Sequence, residues 1–242
     1  GGASNVVNNL CALGDLPILF SVVGDDDSGV KLCSLVEEKS QNEHFIFSDP
    51  SRCTTVKMRT FAQGRQISRA DFENRSPIAE AIASKIIAAF SSVVKSLSAV
   101  VVEDYNKGLL TEPFINQILT IAKDAGLPVI IDGTFNTPYL CNLFDLGADI
   151  IVHSLTKWMA GHGSSMAGII VEGGKFNWMQ NDKFPSLTKE YEGYHGLSFA
   201  EEFGPVAFTM KARAEGMRDF GPCLSPQNAW NVMQGIETLS VR

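Results

Sequence analysis

Several things are scarce in this sequence, and each scarcity excludes something. There are five cysteines in 242 residues (Cys11, Cys33, Cys53, Cys141, Cys223), an odd number, widely scattered and without a C-x-x-C pair. That argues against a disulfide framework and against a structural zinc site; reduced thiols packed as small hydrophobes are expected, and no metal. A basic excess is missing: 20 Lys and Arg stand against 27 Asp and Glu, a net charge of −7 spread along the chain. Nucleic-acid binding calls for a basic face, so no nucleic-acid partner is expected. No apolar run approaches the roughly 20 residues that cross a bilayer. The longest, 97–102 and 127–131, suit buried strands, and no membrane partner is expected. The first residues, GGASN, carry neither an initiator Met nor a basic n-region. This does not read as a secretory signal, and a cytoplasmic chain entered partway through is expected. There is no internal repeat and no low-complexity linker.

What is present is a regular alternation. Residues 5–13 have helical spacing, 17–23 is a strand-like run ending in the turn GDDDSG, and helical spacing resumes at 29–38. The runs 54–63 and 65–72 flank Gly64 as a hairpin. An amphipathic helix is predicted over 77–95, a buried strand over 97–103, a helix over 112–125 capped by Gly126, and a strand over 127–132. A short helix, a strand at 148–153, a Gly-rich loop and a strand at 167–172 follow. Continuous apolar strands separated by helices predict an α/β fold with a mostly parallel sheet flanked by helices on both faces. From 174 to 227 the periodicity gives way to Gly, Pro, Tyr and Phe, and a helix is predicted again over 227–239. So long an irregular stretch has a function or belongs to an interface.

In such sheets ligands bind beyond the carboxyl ends of the strands. The segment 149–163, DIIVHSLTKWMAGHG, delivers Ser154, Thr156 and Lys157 to such an end, followed by small residues. A lysine there can form a Schiff base with an aldehyde cofactor, and two hydroxyls can donate to a phosphate. One strand earlier Asp132 ends its run at the same edge, where a carboxylate can pair with a protonated pyridine nitrogen. Taken singly, Lys157 is a solvated loop lysine and Asp132 a cap or strand end; His153 and His162 read as core or loop-ordering residues, and Tyr191, Tyr194 and His195 as packing or interface.

The stretches DGTFNTPYL, GADIIVHSLTKW, GHGSSMAGIIVEGGKF, YHGL, EEFGPVAF and LSPQNAWNVMQGIETL, in order from about 132 to 242, resemble the cysteine/methionine-metabolism family of fold-type I pyridoxal-phosphate (PLP) enzymes, O-acetylhomoserine sulfhydrylases above all. The resemblance implies pyridoxal 5'-phosphate as cofactor, Lys157 as its Schiff-base lysine and acid/base, Asp132 on the pyridine nitrogen, and Ser154 and Thr156 on the phosphate. It implies γ-replacement on an O-acyl homoserine as small-molecule substrate, acetate leaving and sulfide adding. It also implies a homo-oligomer formed through this segment, with 174–210 at the contact. Gly133 departs from the family, which usually has Asn after the aspartate. The phosphate-binding Gly-Met turn and the ring-stacking aromatic that the family places upstream of the lysine are not found in residues 1–130.

Residues 1–128 resemble instead the PfkB sugar-kinase family, in particular its heptose-7-phosphate kinases. The motifs are GGASNVVNNLCALG at the start, VVGDDDSG at 22–29, TTVKMRTFAQGRQISRADFE at 54–73 and VVVEDYNKGLLT at 100–111. A ribokinase-like first half is therefore expected. As a sugar-phosphate site, Gly1 and Gly2 allow close backbone approach and Asn5 can bond hydroxyls. Lys57, Arg59 and Arg69 suit phosphate oxygens, with Asp104 and Lys107 after a strand. Read singly, each is a solvated charge or a cap. The nucleotide-binding half of such a kinase does not follow, so phosphoryl transfer has little left to support it. The string AKDAGLPVIID at 122–132 suits both families, and the chain reads as two truncated segments, 1–128 and 129–242, joined between about 121 and 133. Three readings stay open: a truncated PLP enzyme segment, a sugar-phosphate-binding kinase segment, and a hybrid with neither activity, marked by exposed apolar patches.

Overall fold

Asp26 precedes a helical run and does what a short carboxylate does best at that place. Its side chain accepts the Gly29 N–H (2.8 Å) and so caps the helix α2 (Asp27–Lys39), which follows α1 (Ala3–Ala12) and the strand β1 (Phe20–Gly24). In this computed structural model, which describes residues 2–40 and 43–242, the chain divides into two compact units. One comprises 1–95 with 103–121, the other 96–102 with 122–242.

In the first unit β1 pairs in parallel with β2 (Phe45–Asp49), a strand not anticipated from the sequence because FIFSD is short and half-buried. Val7, Leu19 and Val36 form a small core there with Ala3, Cys11, Leu32 and Ile46 packed against it. On α3 (Glu80–Val93) Phe90 meets Phe20 edge-on at 5.6 Å, and Phe20 stacks on Phe45 at 5.1 Å. The predicted hairpin is present as β3 (Val56–Ala62) and β4 (Arg65–Phe72), antiparallel with a bulge between Thr60 and Phe61. Gln63 (φ 50°) and Gly64 (φ 74°) make its two-residue turn, both positive as a twisted hairpin requires.

The second unit carries a four-stranded sheet in the order β5-β6-β7-β8: β5 (Val100–Val102), β6 (Val129–Asp132), β7 (Ile150–Ser154) and β8 (Gly168–Glu172). The helices α4 (Glu112–Asp124) and α5 (Thr137–Leu140) lie between β5 and β7 in sequence. The first three strands are parallel, but β8 runs antiparallel to β7. The expectation of one mostly parallel sheet is thus corrected: the fold is α/β with mixed sheets, and β1–β2 and β3–β4 are sheets of their own. The reason is the connection. Residues 155–167 contain no helix to cross over the sheet, and without a crossover the chain can only return antiparallel. Coverage on both faces is corrected too. Ile150 and Ile151 are buried, whereas Val101, Val152, Ile169 and Ile170 remain 49, 36, 43 and 51% exposed.

The irregular stretch after residue 174 is also more ordered than its composition suggests. It holds α6 (Pro185–Thr188), α7 (Phe199–Phe203), α8 (Ala207–Lys211), a π-helix (Ala212–Asp219) and α9 (Pro226–Glu237). Trp178, Phe184, Leu187 and Phe199 are buried with Ile150 of the sheet in one cluster. Trp178 stands 5.2 Å from Phe184 and 5.8 Å from Phe208, so aromatic contact replaces helical periodicity as the organising signal.

Candidate active site

The sheet register brings two of the anticipated residues to one face, and a third follows on the loop. Asp132 is opposite Val152, and Val152 opposite Ile170; Ser154 is two residues further along β7, opposite Gly168. With a side-chain period of two, Asp132, Val152, Ser154 and Ile170 share one face at the carboxyl end of β6 and β7. Here the face is open: Asp132 is exposed and Ser154 half-buried. Lys157 is exposed three residues beyond Ser154, its backbone N–H donating to the Ser154 carbonyl (3.2 Å).

The turn after β6 is tied across to β7. The Asp132 Oδ1 accepts the Thr134 N–H (2.8 Å), and the buried Thr134 hydroxyl oxygen accepts the Ser154 N–H (2.9 Å). Gly133 lies between them, where a Cβ would stand 2.6 Å from the His153 Cε1. His153, on the opposite face, is buried with its Nδ1 unpartnered among the described residues, and His162 packs its Nδ1 2.7 Å from the Ala160 carbonyl. At the other end of the strands Asp149 accepts the Val129 N–H (2.8 Å), and burial pushes its carboxyl pKa up. Thr134 and the Gly133–His153 contact escaped the sequence reading; their signal was adjacency to Asp132.

Pyridoxal phosphate needs an amine, a carboxylate for its ring nitrogen and donors for its phosphate. Asp132, Ser154 and Lys157 fit: they reach the same strand ends, and neither charged group forms an ion pair among the described residues. The Thr156 hydroxyl donates to the Ala167 carbonyl (3.2 Å) and accepts the Ala167 N–H (3.1 Å).

The residues anticipated for a sugar phosphate are differently placed. Gly1 lies outside the described residues. Gly2 precedes α1 at φ 54° and Asn5 is exposed on that helix. Lys57, Arg59 and Arg69 share one hairpin face, but Asp71 takes up two of them: Arg69 Nε at 2.9 Å and Lys57 Nζ at 3.7 Å. Lys107 pairs with Glu73, which Arg75 also contacts at 2.7 Å. Hydrogen bonds from both cations hold the Glu73 carboxyl at about 2. Asp104 is exposed and accepts the Asn106 N–H (2.7 Å). Missed altogether was Arg52, which spans the Asp49 carboxylate (3.3 Å), the Lys107 carbonyl (2.9 Å) and the Ser76 carbonyl (2.7 Å).

Among the described residues no group of His, Cys, Asp and Glu is placed to hold a metal ion, and no helix is long and apolar enough to cross a membrane. An open cleft of about 390 Å³ lined by Tyr194, His195, Ser198, Glu201 and Glu202 shares no residue with the Asp132–Lys157 set.

An α/β chain that gathers a lysine, a carboxylate and a hydroxyl at the ends of neighbouring parallel strands has the arrangement of a PLP-binding segment. Residues 56–242 match the model of the Cys/Met metabolism PLP-dependent enzymes, and the chain belongs to that family, whose cofactor is pyridoxal 5'-phosphate. It is 49% identical to the O-acetyl-L-homoserine sulfhydrylase of Leptospira meyeri over 136 residues, 53% of this chain and 30% of that protein. It is also 43% identical over 141 residues to the bifunctional protein HldE of Paramagnetospirillum magneticum, 57% of this chain and 29% of that one. Each likeness takes more than half of the chain, so the two overlap. The chain spans about a third of the length of these relatives. A crystallised O-acetylhomoserine (thiol)-lyase of Campylobacter jejuni superposes with a TM-score of 0.64 at 22% identity, over 99% of this chain and 52% of its own. At that identity the likeness shows the fold.

Proposed function

We propose that the second segment, 129–242, is the lysine-bearing part of a PLP-dependent enzyme acting on an O-acyl homoserine, with sulfide as the incoming nucleophile. The observation that carries this reading is the common face of Asp132 and Ser154 at the strand ends, with Lys157 on the loop that follows. Lys157 supplies the amine that meets the cofactor's aldehyde, and its Nζ then carries protons between the substrate's carbons. Asp132 holds the proton of the pyridine nitrogen in place. Ser154 donates its hydroxyl to the phosphate. When bound, the cofactor supplies an electron sink that stabilises negative charge beside the substrate's amino-bearing carbon. The first segment, 1–128, is read as ribokinase-like, and the 43% identity to the bifunctional HldE supports that reading. A sugar phosphate bound there is the second function this chain can carry. Three of its cations, Lys57, Arg69 and Lys107, are already matched by Asp71 and Glu73, which makes it the weaker of the two.

The test is chemical. The protein is incubated with PLP, reduced with borohydride, and mapped by mass spectrometry. One pyridoxyl group per chain on Lys157 is the expected result, lost in Lys157→Ala and reduced at least tenfold in Asp132→Ala. Labelling spread over surface lysines, with Lys157 no more reactive than the others, would sink the reading.

A further inference from the structure

The loop that carries Lys157, residues 155–167, rests along one side of α9. Leu155, Met159 and Ala160 of the loop are buried in one cluster with Val232 of the helix, and Ala167 and Leu239 pack against it. Near the start of α9 the Asn228 Nδ2 donates to the Met166 carbonyl (3.1 Å). Near its end the helix meets the loop with bare backbone. A Cβ on Gly235 would stand 2.2 Å from the Ala160 carbonyl oxygen and 2.6 Å from that of Met159. Both are backbone atoms, so a side chain at 235 forces the helix or the loop to move.

Asn228, Val232 and Gly235 follow the spacing i, i+4, i+7, which is one stripe of a helix. Trp230 and Met233, off that stripe, are 57 and 60% exposed. The stripe holds the loop at three heights, by a hydrogen bond, an apolar contact and a backbone contact. The loop carries this contact on to the lysine. The Lys157 carbonyl accepts the Gly161 N–H (2.8 Å), and the Ala160 N–H donates to the Leu155 carbonyl (2.9 Å). Met159 and Ala160, the residues pressed on Gly235, thus lie inside the turn that Lys157 opens.

We infer that α9 is the backrest of the lysine loop and that Gly235 is a positioning residue: having no side chain, it lets the loop settle where Lys157 emerges at the strand ends. The contact itself is independent of any cofactor. Its consequence for cofactor capture rests on the reading of Lys157 proposed above.

The test compares Gly235→Ala with Gly216→Ala, whose added Cβ would meet nothing within 4 Å. Alanine favours a helix over glycine, so loosening in Gly235→Ala runs against helix propensity and reports the contact. The first measurement is amide hydrogen exchange in the cofactor-free chains. The Lys157, Ala160 and Gly161 amides should exchange faster in Gly235→Ala, on the order of tenfold, with Ile131 unchanged and Gly216→Ala at the parent rate. Unchanged exchange at these three amides, or a rise no greater than at Ile131, overturns the proposal. Should Gly235→Ala fail to fold, Asn228→Ala takes its place, since it removes one hydrogen bond and adds no clash. The same amides should then rise about threefold, and no rise overturns the proposal. The second measurement is borohydride trapping with PLP, mapped by mass spectrometry. Gly235→Ala should lower the pyridoxyl yield on Lys157 by about threefold or more relative to Gly216→Ala, with the other lysines labelled as in the parent. Faster loop exchange with Lys157 trapped as in the parent would make Gly235 a packing residue and overturn its positioning role. If the parent protein does not trap PLP on Lys157, the cofactor reading fails, and exchange at the Lys157 amide alone decides whether α9 sets the lysine.

Discussion

Compared side by side, the two units hold their backbone together with different chemistry. In the first, charged groups serve as fasteners. Asp26 caps α2 and also accepts the Thr54 N–H (2.8 Å), Asp49 and Arg52 pair in the interior, and Glu73 secures Lys107. In the second, aromatic rings take that place: Trp178 with Phe176, Phe184 and Phe208, and Tyr191 with Tyr194 and Phe199. Even its buried cation joins the rings, since the Lys211 Nζ stands 3.8 Å over Tyr191 while pairing with Glu215 at 2.6 Å. Ion pairs demand partners at fixed distances and stay sensitive to pH; stacked Trp and Phe rings bury area without titrating. The difference suggests that the two units answer separately to perturbation.

Arg52→Ala is the strongest test on the first unit. It strips a guanidinium whose side chain is 7% exposed from a carboxylate that is 4% exposed, and removing one member of a buried pair costs about 3–5 kcal/mol. In urea, the transition reported by exchange of the β1 and β2 amides should move to lower denaturant while that of β6 and β7 stays. A joint shift of both would show one cooperative body and break the comparison. Glu172→Ala is the counterpart in the second unit. The carboxylate accepts the Trp178 Nε1–H (2.9 Å) and the Thr209 N–H (2.8 Å), fastening the aromatic segment to β8. Losing two bonds to a charged acceptor costs about 2–4 kcal/mol, visible in Trp fluorescence during urea unfolding.

Acid should separate the units in a fixed order. Asp26, Asp49 and Glu73 all have lowered pKa values, from hydrogen bonds to Thr54 and Gly29, to Ser51, and to Lys107 and Arg75 respectively. Their contribution is complete above the ordinary carboxylate range and is lost as pH falls through the lowered values, for Glu73 from 4.5 towards about 2. Asp149 is raised by burial, so its charged form costs stability at neutral pH and protonation relieves that cost. Exchange at pH 3 should therefore open β1 and β2 before β6 and β7, and the reverse order would refute the assignment. The smallest effect belongs to Lys57→Ala. An exposed pair with Asp71 at 3.7 Å contributes under about 1 kcal/mol, so thermal unfolding should barely change.

Much of the local structure was legible in the sequence because it depends on local chemistry. Helices with an apolar stripe, a hairpin around Gln63-Gly64, and apolar strands bounded by Gly or Asp each carry their own signal. The β2 strand was not legible: FIFSD is five residues long, and it becomes a strand only because β1 supplies hydrogen-bonding partners along its whole length. The candidate site was readable as residue types and spacing at Asp132, Ser154 and Lys157. The bonding of the Thr156 hydroxyl to Ala167 was not, since it depends on which residue returns opposite it. Likewise Lys57, Arg69 and Lys107 looked available until folding set Asp71 and Glu73 beside them.

Sequence alone determined the α/β alternation, the lysine segment and the likeness to two families, because period, turn chemistry and motif order are properties of neighbouring residues. The tertiary structure decided the direction of β8, the open face beside Asp132, the order within 174–227 and the partners of each charge. Those follow from contacts between residues far apart in the chain, which no local pattern encodes.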